Sequence, residues 1–314
     1  MTVKVQAYSP AGISSFFEIC DRTEDGQPIA DVTRVGARGG GFGVQKGMHT
    51  EVTVAEAAAS SVTVYINGQH APQAETTRTV VQKLLAKASG AYTVKVKHKV
   101  EVPVGAGFGT SAAGALTTAL ALAKALGLRL TYDAVGKVAH EAEVQCRTGL
   151  GTVAPLMLGG CVLTVEPGAP GVARVDRIPV LPDYMVVAGV VESTPTRTVL
   201  SSEQRRRAVN AWGRKTLSRI LDEPTVENLL ESSLDFAEKA GFMTDRTRRL
   251  TKAALNAGAV GAAQNMVGEA VHAVVHEKKA ACVAEAFKQV QPKSIVIVSK
   301  IESQGARLVK LEKV

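Results

Sequence analysis

Apolar and polar positions alternate from the first residues: Val3, Val5 and Ala7 against Lys4 and Gln6. This predicts a strand over 3–8 that ends at Ser9-Pro10-Ala11-Gly12. Residues 21–31 are polar, with Gly26 and Pro28, and read as a loop. Strand patterns return at 49–54, 61–66 and 92–100. The last alternates valine with Lys95, Lys97 and Lys99, as on the outer face of a half-exposed sheet. Helical runs cover 76–88, 112–126 and 132–147, and Gly159-Gly160 leads into a strand over 161–165. The stretch 166–182 is rich in proline and glycine and divides the chain into units 1–166 and 183–314. In the second unit a strand over 184–191 and a small polar turn at 192–198 precede helices at 202–221, 225–240 and 244–257. Two short strands flank 265–269, and a helix over 277–290 and strands at 294–299 and 307–311 close the chain. Strand, helices, two strands, helix, strand predicts an α+β protein whose second unit is a ferredoxin-like layer. No internal repeat interrupts this order.

The most informative stretch runs from Pro103 to Gly127. Gly105, Gly107 and Gly109 stand at alternate positions, where a backbone must turn tightly and come close to a ligand. Thr110 or Ser111 can cap the helix that follows, which is rich in alanine and leucine and is stopped by Gly127. A glycine loop feeding a helix start directs free N–H groups and a positive dipole end at one spot, an anion site suited to phosphate. The string is neither the P-loop, since no Gly-Lys-Ser/Thr follows, nor the dinucleotide fingerprint, since Gly109 comes one position early. A strand-to-helix turn packed closely through glycine is the plain alternative.

Composition adds the scale. The chain has 314 residues, 46% of them apolar and 21% charged, enough for two units with substantial cores. Aromatic residues reach only 4%, so the core falls to valine, leucine, isoleucine and alanine. A net charge of +8 suits an anionic ligand such as a nucleotide. The basic runs Arg205-Arg206-Arg207 and Arg246 to Lys252 lie in helical segments without interleaved aromatics. They read as solvated helix faces, and no nucleic-acid partner is expected. Cys20, Cys146, Cys161 and Cys282 are scattered without metal-ligand spacing, which fits a reducing compartment, the cytoplasm. The amino terminus has no apolar signal core, and Thr117, Thr118 and Lys124 interrupt the alanine/leucine helix. No membrane association is expected.

Two further places could carry chemistry. Arg38 sits among Gly36, Gly39, Gly40, Gly41 and Gly43, where the glycines allow close backbone approach and the guanidinium offers a fork for a carboxylate or phosphate. A flexible surface turn is the alternative. Glu143, with Glu141 beside it, lies on the helix after the phosphate loop. A helix glutamate is most often only a solvated side chain.

The string Pro103-Val-Gly105-Ala-Gly107-Phe-Gly109-Thr110-Ser111-Ala112-Ala113 resembles the phosphate motif of the GHMP kinases, the superfamily of galactokinase, homoserine kinase and mevalonate kinase. With Ser9 to Ser14, Arg38 to Gly41, Glu143 to Gly151, Thr194 to Leu200 and Asn265 to Glu269 in the same order, the chain resembles the archaeal pantoate kinase branch of that superfamily. The resemblance implies a two-domain fold with ATP and acceptor meeting in the cleft between the halves, and a homodimer. It also implies ATP-dependent phosphorylation of pantoate to 4-phosphopantoate on the archaeal route to coenzyme A. On this basis Pro103, Gly105, Gly107, Gly109, Thr110, Ser111 and Ala112 form the nucleotide site, and Ser111 and Glu143 hold Mg²⁺, with Glu141 second. Pantoate offers a carboxylate, two hydroxyls and a geminal dimethyl group. Arg38 is assigned to the carboxylate, Ser14 and Thr194 to the hydroxyls, Arg197 to a second charge contact and Phe16 to the apolar wall. Several GHMP kinases place an aspartate base near the end of the Glu143 helix; here Thr152 stands in that region. Another small-molecule kinase of the homoserine or mevalonate type, a phosphoribosyl-transferring relative, and a non-catalytic nucleotide or RNA binder are the alternatives.

Overall fold

The computed structural model describes residues 2–192 and 203–313. Its first strand is much longer than the alternation predicts. β1 (Thr2–Cys20) runs through Ser9-Pro10-Ala11-Gly12 without ending. Bulges between Ser9 and Ala11 and between Ser14 and Phe16 take up the irregularity. Pro10 is tolerated because a bulge does not need its missing N–H.

The glycine run around Arg38 is also strand, not loop. It opens β2 (Gly36–Glu56), which pairs with β1 along nearly its whole length. The glycines answer to crowding within the sheet. A Cβ at Gly41 would stand 1.9 Å from the Ile13 carbonyl oxygen, and one at Gly40 would stand 2.6 Å from the Leu163 side chain. Room for a close neighbour was correctly implied by the glycines, but the neighbour is protein.

The first unit continues with β3 (Ser61–Ile66), β4 (Gln69–His70), α1 (Glu75–Leu85), β5 (Tyr92–Val100), α2 (Thr110–Ala125) and α3 (Tyr132–Cys146). The short α4 (Val153–Leu158), which the sequence reading missed, β6 (Cys161–Glu166) and β7 (Arg174–Ile178) follow. β7 forms inside the proline- and glycine-rich stretch. The second unit has β8 (Tyr184–Glu192), α5 (Glu203–Asp222), α6 (Val226–Lys239), α7 (Asp245–Asn256), β9 (Gly261–Gln264), β10 (Glu269–His276), α8 (Ala280–Val290) and β11 (Ile295–Lys300). The last strand, β12 (Arg307–Lys313), returns to pair with β1.

Two sheets result. The larger has eight strands in the order β12-β1-β2-β5-β3-β4, with β6 and β7 added at β2. The smaller is antiparallel in the order β11-β8-β10-β9, the ferredoxin-like layer expected from the element order. Thr131, Thr225 and Thr244 cap α3, α6 and α7 through their side chains. α2 has no polar face: every residue from Ala112 to Ala123 is buried. Its small side chains let α1, α3 and the larger sheet close around it. A second core cluster joins Phe16, Phe42 and Phe108 to Ala188, Phe236 and Met266, so apolar packing ties the two units together. No helix among the described residues is long and apolar enough to cross a membrane.

A polar chain is sealed under α2. Thr50 Oγ1 lies 2.7 Å from His98 Nδ1 and 2.6 Å from Thr117 Oγ1, while Thr77 Oγ1 lies 3.1 Å from His98 Nε2. Burial holds the imidazole neutral, with its pKa lowered to about 4 from an ordinary 6.5. As pH falls below 6.5 the unfolded chain takes up a proton on His98 that the folded chain refuses. Stability should therefore drop by about 1.4 kcal/mol per pH unit from this group until pH reaches the folded value. His98→Gln keeps a hydrogen-bonding group but cannot titrate. Its urea midpoint should fall less steeply than that of the wild type between pH 6.5 and 4, and parallel curves would remove His98 as the source.

Candidate active site

The loop between β5 and α2 adopts the conformation its glycines permit. Gly105, Gly107 and Gly109 have φ of 77°, 76° and 58°, in the left-handed region. Between them Ala106 and Phe108 are buried to 0% and 1% exposure and anchor the loop, leaving glycine backbone on the outside. Gly109 is the N-cap residue of α2, and no side chain caps that end. The first N–H groups of the helix, at Thr110, Ser111 and Ala112, are therefore free for an anion and sit at the positive end of the helix dipole. The loop is held from two sides. Gly12 N donates to Phe108 O at 3.0 Å, and Asn265 Nδ2 donates to Ala106 O at 3.4 Å. A Cβ at Gly107 would meet the Asn265 Cβ at 3.0 Å, and one at Gly109 would meet the Thr152 methyl at 2.8 Å. Conformation and space both require glycine here.

Glu143 lies beside the first turn of α2 with only 3% exposure. Its Oε1 accepts from Ser111 Oγ at 2.5 Å and from Thr148 Oγ1 at 2.6 Å. Thr76 Oγ1 stands 3.0 Å from Thr148 Oγ1 and 3.4 Å from Ser111 Oγ, which closes a ring of hydroxyls around the carboxylate. Gly149 follows because a Cβ there would come within 2.2 Å of Glu143 Oε2. Among the described residues no cationic side chain forms an ion pair with Glu143. Burial raises its pKa, and the Ser111 and Thr148 hydrogen bonds pull it back only in part. A buried carboxylate ringed by hydroxyls is an oxygen donor set that suits a hard cation, and Mg²⁺ commonly takes few protein ligands and completes its shell with phosphate and water. No cluster of three or more histidine, cysteine or acidic groups suited to a metal occurs among the described residues. Glu141 points elsewhere: it pairs with Lys83 at 3.0 Å.

The other expected site residues divide. Pro103 opens the phosphate loop. Ser14 is half-buried on β1, two residues beyond Gly12, and its carbonyl accepts from Met266 N at 2.8 Å. Arg38 is not brought there. It donates to Glu18 through Nη1 at 3.1 Å and to the Val165 carbonyl through Nε at 3.2 Å. Glu18, 3% exposed, also receives Arg214 at 3.0 and 3.1 Å. This cluster sits six strand residues past Gly12, about 20 Å along β1 at the usual rise per residue. Phe16 is 1% exposed and packs against Phe236 in the core. Thr194 and Arg197 lie outside the described residues. In the basic runs, Arg206 pairs with Asp21, Arg207 with Glu203, Arg246 with Glu192 and Arg248 with Glu238.

Thr76 and Thr148 are the residues that sequence reasoning missed around the carboxylate. Thr148 stood in plain view after the Glu143 helix, and its hydroxyl was a usable signal. Thr76 reaches the site from α1 and had none.

Residues 75–160, which contain the loop, α2, α3 and Glu143, match the GHMP kinases N terminal domain. The pantoate kinase of Thermococcus kodakarensis is 32% identical over 154 residues, 48% of this chain and 49% of that protein. The pantoate kinase of Methanocaldococcus jannaschii is 28% identical over 138 residues, 44% and 50% of the two chains. The chain thus spans about half the length of the curated relatives it matches. A solved structure described as a phosphotransferase related to the CoA biosynthesis pathway superposes with a TM-score of 0.85 at 27% identity, covering 98% of this chain and 99% of that one.

Glu143 gives a two-part prediction. A carboxyl whose folded pKa is raised above its unfolded 4.5 favours folding only while protonated, and that contribution is lost as pH rises through the folded value. Glu143→Gln keeps the acceptor for Ser111 and Thr148 without the buried charge. It should melt above the wild type at pH 7 in the absence of metal, with the gap closing as pH approaches 4.5. The same variant should weaken ADP binding at least tenfold in Mg²⁺ but change it little in EDTA, as calorimetry would show. A variant less stable than wild type at pH 7, with Mg²⁺ dependence intact, would remove Glu143 from the cation site.

Proposed function

We propose that this chain, which carries a GHMP kinase N-terminal domain over residues 75–160, is a kinase that transfers the γ-phosphoryl group of ATP to the terminal hydroxyl of pantoate. The observation that carries the reading is the adjacency of an uncapped helix start, fed by three left-handed glycines, to a buried carboxylate that shares a hydroxyl with that helix. The first holds phosphate oxygens through N–H groups and the second holds a divalent cation, which together are the parts phosphoryl transfer needs. Pantoate as acceptor is supported by the two relatives named pantoate kinases.

In this mechanism the N–H groups of Thr110, Ser111 and Ala112 and the glycine backbone align the phosphates. Ser111 Oγ and Glu143 would hold a divalent metal, with Thr148 and Thr76 orienting the carboxylate. Mg²⁺ bound there would supply neutralisation of phosphate charge. Ser14 faces the acceptor hydroxyls, with Thr194 and Arg197 as the remaining acceptor contacts. Thr152 touches the loop through its methyl group, close to Gly109 and Gly12. Its hydroxyl cannot serve as a general base near neutral pH. The acceptor proton then leaves late, to a phosphate oxygen, which a loose transition state allows because bond formation to the acceptor lags behind departure of ADP.

The test is ADP release from Mg-ATP with pantoate, homoserine and mevalonate supplied separately. Turnover with pantoate alone is expected, and Ser111→Ala should lower kcat by roughly 10²-fold, as for loss of one transition-state contact. Turnover only with homoserine or mevalonate would keep the kinase and change its acceptor. ADP binding without turnover on any acceptor would leave a nucleotide-binding protein. Arg38→Ala is expected to lower the melting temperature through Glu18 and leave the acceptor KM unchanged; a sharp rise in acceptor KM at constant ATP KM would return Arg38 to the acceptor site.

A further inference from the structure

Behind the phosphate loop lies a polar chain that phosphate binding does not by itself require. Ser15 Oγ is 2.9 Å from His272 Nε2, His272 Nδ1 is 2.9 Å from Asn265 Oδ1, and Asn265 Nδ2 reaches Ala106 O at 3.4 Å. Ser15, His272 and Asn265 are all 0% exposed. The chain starts on β1 of the larger sheet, crosses β10 in the middle of the smaller one, and ends on the residue between Gly105 and Gly107. Phe42 meets the imidazole edge-on at 5.8 Å and closes its remaining side.

The donors and acceptors fit in one direction only. Asn265 uses its amide N–H on Ala106 O, so its Oδ1 faces His272 as an acceptor and Nδ1 must carry the proton. Nε2 is then the acceptor for the Ser15 hydroxyl. Burial keeps the ring neutral, with its pKa lowered to about 3. Reversing Asn265 would set two N–H donors against each other and turn its carbonyl toward Ala106 O. The imidazole N–H and the Ala106 carbonyl therefore together fix which face of Asn265 meets the loop.

We infer that His272 is a positioning residue for nucleotide binding, fixing the Asn265 amide that holds the phosphate loop at Ala106 and so aligning the loop from the opposite sheet. The inference rests on the reading of the loop as a nucleotide site. Met266 N donates to Ser14 O, so the same β9–β10 turn also holds β1 and ties the loop, the first strand and the second sheet together.

Two variants each keep one half of the chain. In His272→Asn the amide nitrogen takes the place of Nδ1 and still donates to Asn265, while Ser15 loses its acceptor. In His272→Gln the amide oxygen reaches the place of Nε2 and serves Ser15, while Asn265 Oδ1 loses its donor. Both lose packing and one buried hydrogen bond, so a merely structural histidine predicts ADP affinities that follow their melting temperatures. A positioning role predicts that His272→Asn binds ADP within about threefold of wild type and His272→Gln at least tenfold more weakly, at comparable melting temperatures, with ATP KM rising and acceptor KM unchanged in the glutamine variant. Equal affinities in the two variants would overturn the inference. Ring ¹⁵N spectra of the wild-type protein need no variant to fold. They should show a neutral Nδ1–H tautomer for His272 from pH 5 to 8 and a shift of that resonance on adding ADP; an Nε2–H tautomer, or no response to ADP, would also overturn it. Wild-type protein that binds no ADP would remove the nucleotide reading itself, and this inference with it.

Discussion

Three stretches of backbone meet where Gly12, Gly107 to Gly109 and Asn265 to Met266 approach one another, and the rest of the site depends on that contact. β1 supplies an N–H to Phe108 O, the β9–β10 turn supplies a side-chain amide to Ala106 O, and Phe108 and Ala106 are sunk into the core. A glycine loop alone would sample many conformations, because residues without Cβ lose the most freedom on ordering. Fixing it from both sheets moves that entropic cost into folding, where the shared core offsets it, and leaves little to be lost when a ligand binds. The same contact explains why α2 is built of small residues. A helix that must present its N-terminus at the junction of two units is enclosed on all sides, and alanine lets the surrounding elements close without lengthening the span.

Charge is distributed on the same principle. A net +8 could have meant a polyanion surface, yet Arg206 and Arg207 of the first basic run and Arg246 and Arg248 of the second form ion pairs within the chain. Exposed pairs of this kind contribute little each, but they occupy the guanidinium forks. Glu18 shows the opposite case, a buried carboxylate that draws Arg38 and Arg214 onto itself. Glu143 differs from Glu18 in having hydroxyls where Glu18 has guanidinium groups. Two carboxylates with similar burial are thus separated by their partners: one is neutralised by guanidinium groups within the fold, and the other has hydroxyl partners and no ion pair among the described residues.

What could be read from the sequence follows from how local each requirement is. The glycine loop and the helix after it were legible because alternate glycines, a helix-forming run and a terminating glycine all fall within 103–127. The ferredoxin-like order was legible because each element declared its own period. The glycines around Arg38 misled because their cause is a crossing partner, Ile13 on one side and Leu163 on the other, and nothing near residue 40 records which neighbour needs the space. The Ser9 to Gly12 stretch misled in the same way, since a bulge in a paired strand and a turn use the same residue types. Glu143 could be proposed from resemblance, but its hydroxyl ring gathers Thr76, Ser111 and Thr148 from three separate places in the chain. Ser15 and His272, 257 positions apart, could not be paired without the fold.

The place of Thr152 sharpens the division of labour at this site. An aspartate beside Gly109 would add negative charge close to the buried Glu143 at the start of α2, and it would need its own desolvation compensated. A threonine beside Gly109 adds no charge and packs its methyl against the loop, so this position serves alignment where a base would serve proton transfer. In the kinase reading proposed above, an uncharged residue here fits chemistry in which the leaving group departs before the acceptor proton must move. Among the described residues the candidate site brings together N–H groups, a dipole end and a buried carboxylate in fixed relation. In the proposed reaction precision of placement carries the burden that acid–base chemistry carries elsewhere, and the hydrogen bonds to Phe108 O and Ala106 O hold the loop in position for it.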